Sequence, residues 1–213
     1  MARLVLATRN EGKVREMAAL LAPLGVEVVS LSSYPEIEEI PEEGDTFEAN
    51  ALTKARMVAA RTGQLALADD SGLEVDVLDG APGVHSARFA GEPRDDGRNN
   101  EKLLRLLEGV PWDKRRARFR CVIALVTAEG TERLTEGTCE GFIGYEPRGT
   151  KGFGYDPLFY VPEYDMTFGE LDLATKNRIS HRGRALAKAF GAVTELLELS
   201  HLRCSGEKIN RLF

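Results

Sequence analysis

The sequence predicts an α/β protein built on a mixed β-sheet with flanking helices, and three observations carry the prediction. The chain opens with an apolar run, a polar turn, a helix-periodic stretch and a second apolar run, the pattern of a β-turn-α-β unit. Near its middle two extended stretches meet across a short glycine turn, which adds antiparallel pairing. Helix-periodic segments flank both features.

Taken in order, Arg3 to Ala7 reads as a short buried strand and Thr8-Arg9-Asn10-Glu11-Gly12-Lys13 as a polar turn leading into a helix. Val14, Met17, Ala18 and Leu21 share one face of that helix, and Gly25 closes the unit because glycine relaxes the left-handed conformation. Val26 to Ser30 is the second strand. An acidic loop follows with Glu36, Glu38, Glu39, Glu42 and Glu43, interrupted by Pro35 and Pro41. Asp45 with Glu48 has capping-box spacing, which predicts a helix from there to about Arg61. Leu65 to Ala68 is a further strand, ending in Asp69-Asp70-Ser71-Gly72.

From Leu73 to Asn99 the chain is rich in Gly, Pro, Asp and Arg and reads mostly as loop, with a helix expected over Glu101 to Leu107. Arg118 to Thr127 is a long strand with Phe119, Cys121, Ile123 and Leu125 on one face, and Arg133 to Glu140 pairs with it across Ala128-Glu129-Gly130. The last helix runs from about His181 to Leu199, with Leu186, Phe190, Val193 and Leu197 on one face. Ser200 to Phe213 shows weak periodicity. The central hairpin differs in character from the segments around it, which leaves one undivided domain and two lobes with a cleft as open arrangements.

The 213 residues suffice for a substantial core, and 43% hydrophobic with 29% charged residues is an ordinary globular composition. A net charge of -6 makes the chain as a whole a poor polyanion binder, so no nucleic acid partner is expected and any phosphate must meet a local cluster of cations. Cys121, Cys139 and Cys204 are odd in number and lack CxxC spacing, which argues against a disulfide framework and a zinc site and for a cytoplasmic home. No apolar run is long enough for a signal peptide or a membrane span.

Four segments could carry chemistry. In the turn from Thr8 to Lys13, backbone amides, the Thr8 hydroxyl and the Lys13 ammonium could converge on phosphate at a helix start, although the spacing is not a Walker A loop. A capped helix with a solvated lysine would look the same. Asp69 and Asp70 follow a buried strand, where adjacent carboxylates are costly without a cation; their simplest use is to hold Mg²⁺. The bland reading is a surface turn with two solvated acids. Gly149-Thr150-Lys151-Gly152-Phe153-Gly154-Tyr155-Asp156-Pro157 sets two aromatics among glycines that allow close ligand approach, or else is an aromatic-anchored turn. Lys176, Ser180, His181 and Arg182 lie before and at the start of the last helix, another anion-favouring end with Ser180 as its cap; His181 alone reads best as structural.

The order of these segments resembles the inosine triphosphate pyrophosphatase family, the house-cleaning XTP/dITP diphosphatases. The matching stretches are LVLATRNEGKVREM, TFEANALTKA, LALADDSGLEVDVLDGAPGVHSARFAG, GTKGFGYDPLF and KNRISHRGRAL, from first strand to last helix. The resemblance implies an elongated mixed sheet with two lobes, a substrate cleft between them and a homodimer. It implies hydrolysis of ITP, dITP, XTP and dXTP to the nucleoside monophosphate and pyrophosphate, with Mg²⁺ as cofactor.

Carried over by motif, Asp70 is implied as general base and magnesium ligand, with Asp69 beside it. Thr8, Asn10 and Lys13 are implied phosphate contacts, Ser71 a further substrate contact, and Phe153, Gly154, Tyr155 and Asp156 the base-binding segment; Lys176, His181 and Arg182 complete the pocket. Arg9 departs from the family, which usually has glycine there, and is counted with the phosphate loop. The family's second acidic ligand precedes TFEANA, where this chain has Pro41, so Glu42 is the substitute, with Glu39 and Glu43 as alternatives. A buried donor such as Arg182 would favour a 6-oxo purine over adenine. A pyrophosphatase for modified pyrimidine nucleotides and a non-catalytic nucleotide sensor are the competing functions; a dinucleotide oxidoreductase is disfavoured because the first turn lacks GxGxxG.

Overall fold

A computed structural model describes residues 3–38 and 40–210, with side chains as far as residue 198. Seven strands form one sheet: β1 (Arg3–Leu6), β2 (Glu27–Ser30), β3 (Leu65–Val75), β4 (Arg116–Val126), β5 (Glu132–Ile143), β6 (Phe159–Val161) and β7 (Met166–Thr167), in the order β2-β1-β3-β4-β5-β6-β7. Strand β1 pairs in parallel with β2 and β3, while β5 with β6 and β6 with β7 pair antiparallel, so the sheet is mixed. Among the described residues five α-helices accompany it: α1 (Glu11–Leu21), α2 (Phe47–Thr62), α3 (Asp96–Leu106), α4 (Leu173–Ile179) and α5 (His181–Asn210).

The β-α-β opening forms as the alternation predicts. Leu4, Val5 and Leu6 are fully buried, Asn10 caps α1 by accepting from the Lys13 amide, and Gly25 takes a φ of 61° behind a short 3₁₀ turn. The cap of α2 is a correction. Thr46, not Asp45, is the cap: its backbone is extended and its hydroxyl accepts from the Ala49 amide. The helix closes at Gly63, φ 64°.

A second correction concerns the acidic pair. β3 does not stop at Ala68 but runs through Asp69, Asp70, Ser71 and Gly72 to Val75, with both aspartates buried. Polar side chains can stay inside a strand only when partners meet them, and the partners come from elsewhere in the sequence. Helix α3 begins earlier than expected because Asp95 accepts from the Arg98 amide. α4, β6 and β7 had no counterpart in the sequence reading, being too short to show a period. Helix α5 continues into the stretch of weak periodicity as far as Asn210, and the Cys204 side chain lies outside the described residues.

The chain divides into two compact units. The first comprises the chain up to Asp70, Val122–Glu136 and the chain from Ala185; the second is Ser71–Cys121 with Gly137–Arg184. In the first, Met17, Leu21, Ala51, Val58, Leu67, Ile123, Leu186 and Val193 are buried. In the second, a core of Leu73, Leu103, Leu107, Leu158 and others surrounds Phe119, Phe159 and Phe168, whose ring centroids lie 4.7 to 5.8 Å apart. Cys121 and Cys139 are buried thiols, and burial pushes Cys139 up to about 11. Among the described residues no helix is long and apolar enough to cross a membrane.

Asp172 caps α4 by accepting from the Thr175 amide and hydroxyl, bonds that hold its carboxyl below the ordinary value of 3.8. A depressed folded pKa contributes stability that is present above the unfolded value and lost as pH falls through the folded one. Thermal melts of the wild type should therefore drop as pH is lowered below about 4, and Asp172→Asn should flatten that limb; identical acid limbs in both proteins would refute the cap's contribution.

Candidate active site

In the first unit the predicted phosphate and acid residues come together. The Thr8 hydroxyl accepts from the Asn10 amide at 3.1 Å, and the Asn10 side chain accepts from the Lys13 amide at 3.1 Å, so the turn is locked before α1 begins. Lys13 Nζ lies 3.0 Å from Asp69 Oδ2. The Arg9 guanidinium donates to the backbone carbonyls of Tyr34 and Ile37, fastening the following loop to the turn.

The centre of this unit's polar cluster is a residue the sequence reading did not single out. Lys54 is 6% exposed, and its ammonium donates to Glu42 Oε1 at 2.8 Å, Asp70 Oδ1 at 2.9 Å and the Asp69 carbonyl at 2.8 Å. Asn50, one helical turn earlier, donates to Asp70 Oδ2 at 3.1 Å and holds both polar groups of Gly44. The signal was present in TFEANALTKA: Asn50 and Lys54 are four apart and fall on the face that carries Phe47, Ala51 and Val58. Polar residues on an apolar face need buried partners.

Burial pushes the Asp70 carboxyl above its ordinary value, with Lys54 and Lys13 opposing the shift. Burial also disfavours the Lys54 ammonium, yet Asp70, Glu42 and Asp69 outweigh it and hold its proton more tightly than usual. Of the three acids expected around a metal, Glu42 and Asp70 share one cationic partner, while the Asp69 carboxylate faces Lys13. Glu43 is exposed, and Glu39 lies outside the described residues.

In the second unit the predicted ring-binding residues also assemble. Arg182 is 1% exposed, and its Nη2 donates to Ser71 Oγ at 2.8 Å. The Phe153 ring is half-buried, with Lys176 Nζ 5.0 Å and Arg182 Cζ 5.6 Å from its centroid, so two cations attend one aromatic face system. Asp156 is buried, forms an ion pair with Lys176 and accepts from the Phe153 amide at 2.8 Å. Gly152 permits this: at φ +78° an added Cβ would sit 1.9 Å from Asp156 Oδ2.

Tyr155 and His181 are also expected site residues, and both pack against aromatic or apolar core side chains. Tyr155 belongs to the hydrophobic core, its hydroxyl donating to the Ser86 carbonyl at 2.8 Å, and His181 stacks on Phe119 at 4.6 Å. Ser180 caps α5 as expected, accepting from the Gly183 amide at 3.1 Å. Lys176 sits within α4 rather than in a loop, and Asp69 and Asp70 within β3, so these groups ride on rigid elements.

Acids and lysines in one set suit a polyphosphate; a cation-flanked ring in the other suits a flat base; an α/β protein carrying both is of the nucleotide-handling class. The chain belongs to the Ham1 family, which it matches over residues 4–192. It is 61% identical over 194 residues, 91% of this chain and 96% of the relative, to the dITP/XTP pyrophosphatase of Desulforamulus reducens. It is 56% identical to the protein of the same name from Geobacter sulfurreducens, covering 88% of this chain and 94% of that one. Among solved structures, a HAM1 protein from Coxiella burnetii superposes with a TM-score of 0.82 at 44% identity, covering 92% of this chain and all of that one.

Proposed function

We propose that this protein is a nucleoside triphosphate pyrophosphatase that hydrolyses deaminated purine nucleotides, dITP and XTP foremost, to the monophosphate and pyrophosphate, keeping hypoxanthine and xanthine out of DNA and RNA. The observation that carries the reading is Asp70, buried in β3 with both carboxylate oxygens held, one by Lys54 and one by Asn50. The names of its close relatives supply the substrate class.

Mg²⁺ is the metal this donor set fits. Glu42 Oε1 and Asp70 Oδ1 both lie within 2.9 Å of one ammonium nitrogen, so two hard oxygens already converge on a single positive centre. Among the described residues no group of three or more His, Cys, Asp or Glu could hold a metal, so the expected trio of Asp69, Asp70 and Glu42 is not gathered, and the ion would rest on Glu42 and Asp70 with phosphate oxygens and water. When bound it would supply neutralisation of phosphate charge.

The chain's own residues do the rest. Asp70 orients a water and accepts its proton as the water oxygen bonds to the α-phosphorus; the bond from that phosphorus to the bridging oxygen breaks, and pyrophosphate leaves. Raised basicity from burial favours this role. Lys13 balances charge on the phosphates. The base stacks on Phe153, and the buried Arg182 guanidinium, a donor-only group, favours a 6-oxo acceptor over the donor amine of adenine. The working enzyme is read as a cytoplasmic homodimer.

The test is pyrophosphate release from dITP, XTP, dATP and modified pyrimidine triphosphates, with and without Mg²⁺. Release from dITP and XTP, lost on chelation and about 10⁴-fold slower for dATP, is the expected result. Binding without turnover would instead make the protein a sensor, and preference for the pyrimidines would overturn the substrate class.

A further inference from the structure

Gly154 is held by both of its backbone polar groups. Its N–H donates to Asp96 Oδ2 at 2.6 Å, and its carbonyl accepts from Asn100 Nδ2 at 3.0 Å. Asp96 and Asn100 are four residues apart in α3, hence one turn apart on the same face. Asp96 is not needed to cap that helix, because Asp95 does so. The carbonyl of Gly154 also fixes which way the Asn100 amide points, since only the NH₂ can face it. That orientation leaves Asn100 Oδ1 buried with no hydrogen-bond partner among the described residues.

Gly154, at φ +61°, follows Phe153 directly. The Phe153 amide is tied to Asp156. The backbone is therefore pinned on both sides of the ring, by Asp156 on one and by α3 on the other. We infer that Asp96 and Asn100 are positioning residues for base recognition: they set the Phe153 ring against Lys176 and Arg182 and so govern affinity and choice of base, while leaving the chemical step alone. This rests on the reading of Phe153 as the stacking surface.

The experiment compares Asp96→Ala, Asn100→Ala and Asp96→Asn with the wild type, by steady-state kinetics on dITP and dGTP, equilibrium binding of dITP, and thermal melts. Each alanine variant should raise KM and the dissociation constant for dITP about tenfold, the loss of one hydrogen bond, with kcat within about twofold and a narrowed dITP over dGTP preference. Asp96→Asn keeps an acceptor for the Gly154 amide and should stay within about threefold of wild type. Unchanged affinity in both alanine variants overturns the inference, and so does a fall in kcat that tracks a fall in melting temperature. Should wild type release no pyrophosphate from dITP, the pyrophosphatase reading fails while the binding arm still judges the clamp; absence of binding as well overturns both.

Discussion

Replacing Asp70 by Asn is expected to lower kcat on dITP by about 10³-fold, the contribution of a well-placed general base. The substitution keeps the size of the side chain and removes only its charge and proton affinity. Asn50 can still meet an amide oxygen at position 70, and Lys54 retains Glu42 and the Asp69 carbonyl. The fold should therefore survive with a melting temperature a few degrees lower, since one buried ion pair is weakened rather than stripped of every partner. Single-turnover rates beside circular dichroism separate the two effects. A folded variant that turns over at even a tenth of the normal rate would remove Asp70 from the chemistry.

Gly183→Ala is expected to be the most damaging small substitution in the second unit. A Cβ there would sit 1.7 Å from the carbonyl oxygen of Asn177, a backbone atom that no rotamer can move aside. Gly183 lies in the first turn of α5, its amide donates to Ser180 Oγ, and the Ser180 amide returns to the Lys176 carbonyl. The corner between α4 and α5 is thus closed around this glycine, and it carries Lys176, His181 and Arg182. Forcing it open should cost about 3 kcal/mol, or roughly 6–12 °C in melting temperature for a chain of this size, and should raise KM for dITP in what remains folded. A melt within about 2 °C of wild type would show that the corner yields freely.

Much of this was legible in the sequence because local physics and tertiary structure agree. The β-α-β opening follows from alternation and from Gly25, whose left-handed φ the turn needs. Thr8, Asn10 and Lys13 stand out as a polar turn between a buried strand and a helix, a pattern that a plain helix cap shares and that Thr8 and Asn10 do serve here. Other parts depend on contacts between segments far apart in the sequence. Asp69 to Gly72 reads as a strand end when only its own polarity is weighed; its continuation depends on Lys13, Lys54, Asn50 and Arg182, which come from other segments. Lys54 passes for a solvated helix lysine unless its face is tracked against Phe47 and Val58. Tyr155 looks like a second stacking ring beside Phe153, but its hydroxyl finds Ser86 inside the core. Arg9 reads as a phosphate ligand by position alone, whereas two loop carbonyls claim its guanidinium.

Lys54 has one more consequence. By sitting between Glu42 and Asp70 it gives the folded chain an internal counter-ion, so the acids that a divalent ion would use do not repel each other when that ion is scarce. On the proposed reading, in which Glu42 and Asp70 would hold a divalent ion, removing the metal should stop turnover while leaving the fold intact.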